Sequence, residues 1–225
     1  MSSEFWAAIA GAVVGGCIAA ALQAVSLRAA AKERKQAALQ HDQAEARSLL
    51  FKIIKLQSDF RNIFHALSGM QTHAEERKMA FDWQTCVPLA NLPREIEFSA
   101  SEMSVLLKTK DNDLFNDVVS LDHIHSGIIQ NLEMYRAKRQ SLTDSLPAEM
   151  EGEIGTIRGN DELRRWVEPK AVELNMLMNQ IFNSLAEEQD SEMSLSVRMT
   201  KAFNDAYELG LTTQLKPLSG ANSEV

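Results

Sequence analysis

The chain has 225 residues, 45% of them hydrophobic and 24% charged, and a net charge of −8 at pH 7. Five prolines, ten glycines and two cysteines exclude a collagenous, glycine-rich or disulfide-stapled design, and the apolar share excludes a wholly disordered chain. Residues 1–141 carry 16 basic and 16 acidic side chains, whereas residues 142–225 carry 7 and 15. The distal part therefore repels a phosphate backbone, and no nucleic-acid partner is expected.

The first predicted element is an apolar helix. Phe5 to Leu22 holds no charged side chain, and apolar character continues to Leu27. As a helix at about 1.5 Å per residue this run spans roughly 34 Å, enough for a bilayer core of about 30 Å. The expectation is a single transmembrane segment over residues 1–27. Only Met1, Ser2, Ser3 and Glu4 precede it, while Arg28, Lys32, Arg34 and Lys35 follow. Positive charge is retained in the cytoplasm, so these four residues are the predicted topology signal. They place the N-terminus outside and the remainder at the cytoplasmic face of the plasma (inner) membrane. Val14-Gly15-Gly16-Cys17 has the look of a lipobox, but the residues after it stay apolar and the start is not basic. The same missing basic start argues against a cleaved secretory signal. A buried core helix is the remaining alternative. Ala7, Gly11, Gly15 and Ala19 recur every four positions. Small residues at that spacing let helix backbones approach closely, so these four are the predicted membrane-helix packing face of a homo-oligomer.

Residues 28–47 are Ala-, Gln- and charge-rich and predict a helical stalk. Residues 48–210 predict a cytoplasmic bundle. Ala46, Leu49, Ile53, Leu56, Phe60, Ile63, Leu67 and Met70 step by three and four, widened by Leu50, Ile54 and Phe64. Pro88 and Pro93 break the pattern over 82–98, where Phe81 and Trp83 are expected to anchor the connection. Ser99 and Glu102 fit a capping box ahead of Met103, Leu106 and Leu107. Asp111-Asn112-Asp113 marks a stop and a new start. Leu114, Val118, Leu121, His125, Ile128, Leu132 and Tyr135 form the next stripe. Residues 143–160, with Pro147, Gly152, Gly155 and Gly159, predict a loop. A further helix carries Leu163, Trp166, Val167, Leu174, Leu177, Met178, Ile181 and Leu185, with Pro169 in its first turns or kinking it. A last helix carries Leu195, Met199, Phe203, Ala206 and Leu209 and stops at Gly210. Residues 211–225 predict a frayed tail. The fold class is all-α: a transmembrane helix, a stalk and a bundle of about four helices.

Ile96-Glu97-Phe98, Glu102 through Leu107, Asp113-Leu114, Leu132, Tyr135 and Arg139 together carry a resemblance. This pattern of about 45 positions resembles uncharacterised bacterial single-pass membrane-anchored helical proteins. The resemblance implies bacterial origin and an anchored helical domain, and brings no known activity and no catalytic residue.

The chemistry-bearing residues do not assemble into a recognisable site. His123 and His125 are two apart and point to different sides of a helix, so they cannot share one metal ion. Asp122 and His125 are three apart, and the reading is a core histidine satisfied by Asp122. His41 and Glu45 form at most half a ligand set, and His65 and His73 have no acidic partners at ligand spacing. Cys86 reads as a packed apolar residue. Glu187, Glu188, Asp190 and Glu192 read as a solvated helix junction. Met176 and Met178 read as adaptable core filling. No nucleophile elbow or phosphate loop is present. The expectation is therefore no catalytic, cofactor-binding or metal-binding residue, no cofactor, and no enzyme. The partners are the membrane, further copies of the chain and an unidentified protein. The function that follows is a membrane-anchored interaction or scaffold protein. The alternative is a self-assembling membrane-active effector whose helices associate to perturb the bilayer.

Overall fold

The computed structural model describes residues 3–76, 82–146, 149–151, 154–156 and 161–212, with the side chains of 3–14, 17–19, 73–76, 82, 149–151, 154–156 and 188–194 outside that description. Phe81, Pro147 and most of the expected tail fall outside it too. Helix α1 runs without a break over Ser3–Glu76, about 110 Å at about 1.5 Å per residue. A single 3₁₀ turn covers Asp82–Gln84. Helix α2 is Ala100–Leu106, α3 is Leu114–Asp144 and α4 is Asp161–Tyr207. Strands β1 (Glu149–Glu151) and β2 (Ile154–Thr156) form an antiparallel hairpin between α3 and α4. The fold is all-α apart from this hairpin, which takes the place of the loop expected over 143–160.

Helix α4 packs along both α1 and α3. Gln43 meets Tyr207 while Trp83, just beyond the end of α1, meets Asn175, and Asp117 meets Arg198 while Lys138 meets Glu173. Both α1 and α3 therefore run antiparallel to α4. The core is built from one stripe per helix. Ala46, Leu49, Ile53, Leu56 and Phe60 on α1 are fully buried, as are Leu114 and Val118 on α3 and Ala171, Met178, Ile181, Leu185, Met199 and Phe203 on α4. Removing such a side chain as Phe60 costs about 3–5 kcal/mol through lost transfer energy and the cavity left behind.

Two expectations need correction, the division of the distal helix and its stop. The two helices expected around residues 160–185 and 195–210 are one helix, α4. The acidic stretch between them contains no proline or glycine, its Ala, Glu, Gln and Met residues favour helix, and Leu185 and Phe203, both fully buried, are in phase on one helical face at about 3.6 residues per turn. Pro169 lies inside α4, where the surrounding turn is exposed and water can satisfy the carbonyl that loses its partner. Helix α2 has seven residues, so the expected bundle of about four helices consists, among the described residues, of three long helices and a short one. Gly210 does not stop α4: the helix ends at Tyr207, and Glu208 already adopts φ 53°. Gln43 donates to the Tyr207 carbonyl at 2.8 Å, and the Asn204 amide exchanges two hydrogen bonds with the Leu211 backbone. Those side chains satisfy the end of the helix that glycine was expected to close.

Smaller differences concern which face is inside. On α2 the buried residues are Glu102, Val105 and Leu106, while Leu107 is exposed. Ile54, Trp166 and Met176 are exposed rather than in the core. The bundle begins before residue 48, because Asp42 pairs with Lys108 and Ala46 is fully buried.

Candidate functional site

Two polar clusters are built into the bundle. In the first, Glu102 is the buried second residue-pair of the capping box: it accepts from the Ser99 backbone N–H, and its own N–H donates to Ser99 Oγ. Across the interface α1 supplies Lys52 Nζ at 2.7 Å and Ser48 Oγ at 2.6 Å. Burial alone would raise the Glu102 carboxyl, but the bonds from Lys52, Ser48 and Ser99 hold it down at about 2. The sequence marks the cap; it gives no sign that Lys52 and Ser48, some 50 residues away, complete the shell.

In the second cluster His125 on α3 is fully buried, edge-on to Phe60 with ring centroids 5.5 Å apart. Its expected partner was Asp122. The acid beside it is instead Asp59 of α1, with Nε2 3.8 Å from Oδ2, beyond hydrogen-bond range. Residues 122 and 125 share a helix, but His125 sits on the inner stripe and Asp122 toward the surface, so the interface chooses the neighbour. Neither ring nitrogen, nor Asp59 Oδ2, has a hydrogen-bond partner among the described residues. Burial, and then the charge of Lys55, lowers His125 to about 4, while burial raises Asp59. His125 is therefore neutral at pH 7 and packs as a polar member of the core.

The remaining predicted residues are dispersed. Arg28, Lys32, Arg34 and Lys35 lie exposed along α1. Gly15 of the expected packing face is exposed, with nothing within 4 Å of an added Cβ; the side chains of Ala7, Gly11 and Ala19 are outside the described residues. Among the described residues no helix is long and apolar enough to cross a membrane, and most of the Phe5–Leu22 side chains lie outside them. His41 and Glu45 approach to 4.0 Å on the exposed face of α1. Cys86 is buried, and Tyr135 Oη donates to its carbonyl at 2.5 Å. Trp83 is buried as expected, held by Arg139 on its carbonyl and by Asn175 on its N–H. No group of three or more metal-ligating side chains occurs among the described residues.

Two of the concavities among the described residues differ in character. A cleft of about 620 Å³ is lined by Lys108, Lys110, Arg198 and Lys201 together with Asp111, Asp113 and Asp205. Its charges largely cancel internally: Arg198 binds Asp111 through both Nε and Nη2 and Asp117 through Nη1, and Lys108 binds Asp42. Asp111 reads in sequence as part of a helix stop and new start, with no sign of this arginine partner 87 positions away. A groove of about 540 Å³ lies between the 95–98 segment, α2 and α3. Phe98, Met103, Phe115 and Val119 line it, and Glu95, Glu97 and Asp122 stand at its sides. Burial and the nearby Glu95 raise the Asp122 carboxyl, which His123 only partly offsets. Lys52 Nζ donates to the Glu97 backbone carbonyl at 2.7 Å, but among the described residues no lysine or arginine forms an ion pair with the carboxylate of any of these three acids.

No protein-family model, curated protein or solved structure matches this chain. The functional reading therefore rests on the residues themselves.

Proposed function

We propose that this chain is a membrane-anchored, non-enzymatic interaction protein that presents a helical bundle at the cytoplasmic face of the plasma (inner) membrane. The observation that carries the reading is the division of α1. One continuous helix holds both the apolar run from Phe5 and the first stripe of the bundle core. Leu22, Val25 and Leu27 are 63–67% exposed, and the buried stripe starts only at Ala46. An apolar helix end joined rigidly to a packed bundle is suited to hold that bundle at a set distance from a bilayer. The basic residues Arg28, Lys32, Arg34 and Lys35 stand where a cytoplasmic, anionic lipid surface would meet them. Ala7, Gly11, Gly15 and Ala19 provide a face for self-association of the anchors.

The polar side chains serve packing rather than chemistry. Glu102 holds α2 to α1, and His125 is neutral within the core. Neither lines the three surface concavities found among the described residues.

The experiment is purification of the tagged full-length chain from native membranes, with cross-linking and mass spectrometry. A membrane-fraction chain with a stoichiometric partner is the expected result. Recovery in the soluble fraction rejects the anchor. Recovery as a homo-oligomer alone rejects the adaptor reading and leaves self-assembly in the bilayer.

A further inference from the structure

We propose that the groove between the 95–98 segment, α2 and α3 is a docking site for a cationic amphipathic segment of a partner protein. The proposal rests on the adaptor reading above and gives its partner a chemistry.

The groove combines an apolar lining with a one-signed rim. Phe98, Met103 and Phe115 are half-buried and already pack against the core, so their positions are fixed before any partner arrives. Val119 is 48% exposed beside them. A preformed apolar lining of this kind lowers the ordering cost of binding. Around it Glu95 and Glu97 are exposed and Asp122 is half-buried. The bundle satisfies other carboxylates: Glu102 holds Lys52 and Asp42 holds Lys108, each at 2.7 Å. The Asp122 carboxyl is instead raised by burial and by the nearby charge of Glu95. The cation placed beside them among the described residues, Lys52, donates to the Glu97 backbone carbonyl at 2.7 Å and stands 5.9 Å from the Phe98 ring, but its charge is matched by Glu102. The three rim carboxylates therefore fit a ligand that brings its own countercharge.

The occupant this selects is a segment with apolar anchors flanked by lysine or arginine. The apolar anchors supply most of the affinity, because exposed ion pairs contribute only about 0.2–1 kcal/mol each. The acidic rim sets orientation and accelerates encounter. An acidic or purely apolar segment is repelled or left with an unmatched rim. The charge-balanced cleft around Arg198 lacks this selectivity, since its arginine already holds two aspartates.

The test is fluorescence anisotropy with the full chain in a nanodisc of zwitterionic lipid, referenced to empty nanodiscs. The probe is a labelled leucine–lysine peptide of about 14 residues with leucines at helical i, i+3, i+4, i+7 spacing. The expected result is saturable binding that weakens at high salt. Glu95→Lys and Val119→Asp, at exposed positions, each weaken it at least about tenfold, equivalent to about 1.4 kcal/mol. Glu133→Lys changes the net charge as much as Glu95→Lys does, at an exposed α3 position outside the groove, and leaves binding within about twofold. No saturable binding overturns the proposal. So does equal loss in Glu95→Lys and Glu133→Lys, which would mean attraction to net charge alone, or no loss in Val119→Asp. Recovery of a stoichiometric membrane partner whose binding is indifferent to the groove variants overturns the groove while leaving the adaptor reading intact; absence of any partner overturns the adaptor reading itself.

Discussion

Glu102 and His125 are both buried polar residues facing α1, yet their surroundings are opposite. Glu102 has donors from three directions and stays ionised, its carboxyl held near 2 by Lys52, Ser48 and Ser99. His125 is as deeply buried, but Asp59 stands 3.8 Å away and neither ring nitrogen is bonded among the described residues. What a buried charge costs depends on the donors that replace water. Glu102 therefore fastens α2 to α1, whereas His125 and Asp59 place a weak point in the α1–α3 seam.

The largest effect expected from this contrast is at Glu102. Glu102→Ala removes the centre of the first cluster and should cost about 3 kcal/mol, at the low end for a broken buried pair because Lys52 reaches water. Urea denaturation of the bundle measures it; a loss below about 1 kcal/mol would show that the cluster is decorative. The folded carboxyl titrates at about 2, below its ordinary 4.5. Its contribution is thus complete above pH 4.5 and lost as pH falls from 4.5 toward 2, and Glu102→Gln should flatten that limb of the stability curve.

The histidine has a different window. His125 is lowered from 6.5 to about 4 in the folded chain, so the unfolded chain binds the extra proton between those values. Wild-type stability should fall as pH drops from 6.5 toward 4, by of order 2–3 kcal/mol at about 1.4 kcal/mol per pK unit. His125→Leu keeps the apolar contact with Phe60 and should remove this slope. An unchanged slope in the variant would place the titration elsewhere. Asp59 works in the other direction: its raised carboxyl disfavours the ionised form, so Asp59→Asn should help most near neutrality and lose its advantage in acid.

Smaller effects follow at exposed positions. Arg198 is about 39% exposed and bound to Asp111 and Asp117. Arg198→Lys loses the two-pronged geometry and should cost about 0.5–1 kcal/mol, decreasing with added salt. A cost above about 2 kcal/mol would make this surface cluster as important as Glu102. Smallest for the bundle is Gly15→Leu, which has nothing to strike within 4 Å. Its melting temperature should not move, whereas cross-linked oligomers in membranes should decrease; unaltered cross-linking removes Gly15 from the packing face.

Helical character, the stripe from Ala46 to Leu67, the stripe from Leu114 to Tyr135 and the Ser99–Glu102 cap were all legible in the sequence. Each is local: a period of three and four residues, or a hydroxyl three positions before a carboxylate, follows from the geometry of a single helix. The break expected between Leu185 and Leu195 was misread because acidic residues mark solvent, not the end of a helix. The apolar N-terminal run, with the basic residues after it, is likewise a property of consecutive residues. Tertiary structure alone decided the rest. It set Asp59 rather than Asp122 beside His125, brought Lys52 and Ser48 to Glu102, gave Arg198 its two aspartates, and joined Glu95 to Phe115 and Asp122 around one groove. Those partners lie 20 or more residues apart in the chain, and which side chains meet there depends on the rotation and height at which the helices and the 95–98 segment pack. Local periodicity fixes which face of a helix turns inward; only packing fixes what that face meets.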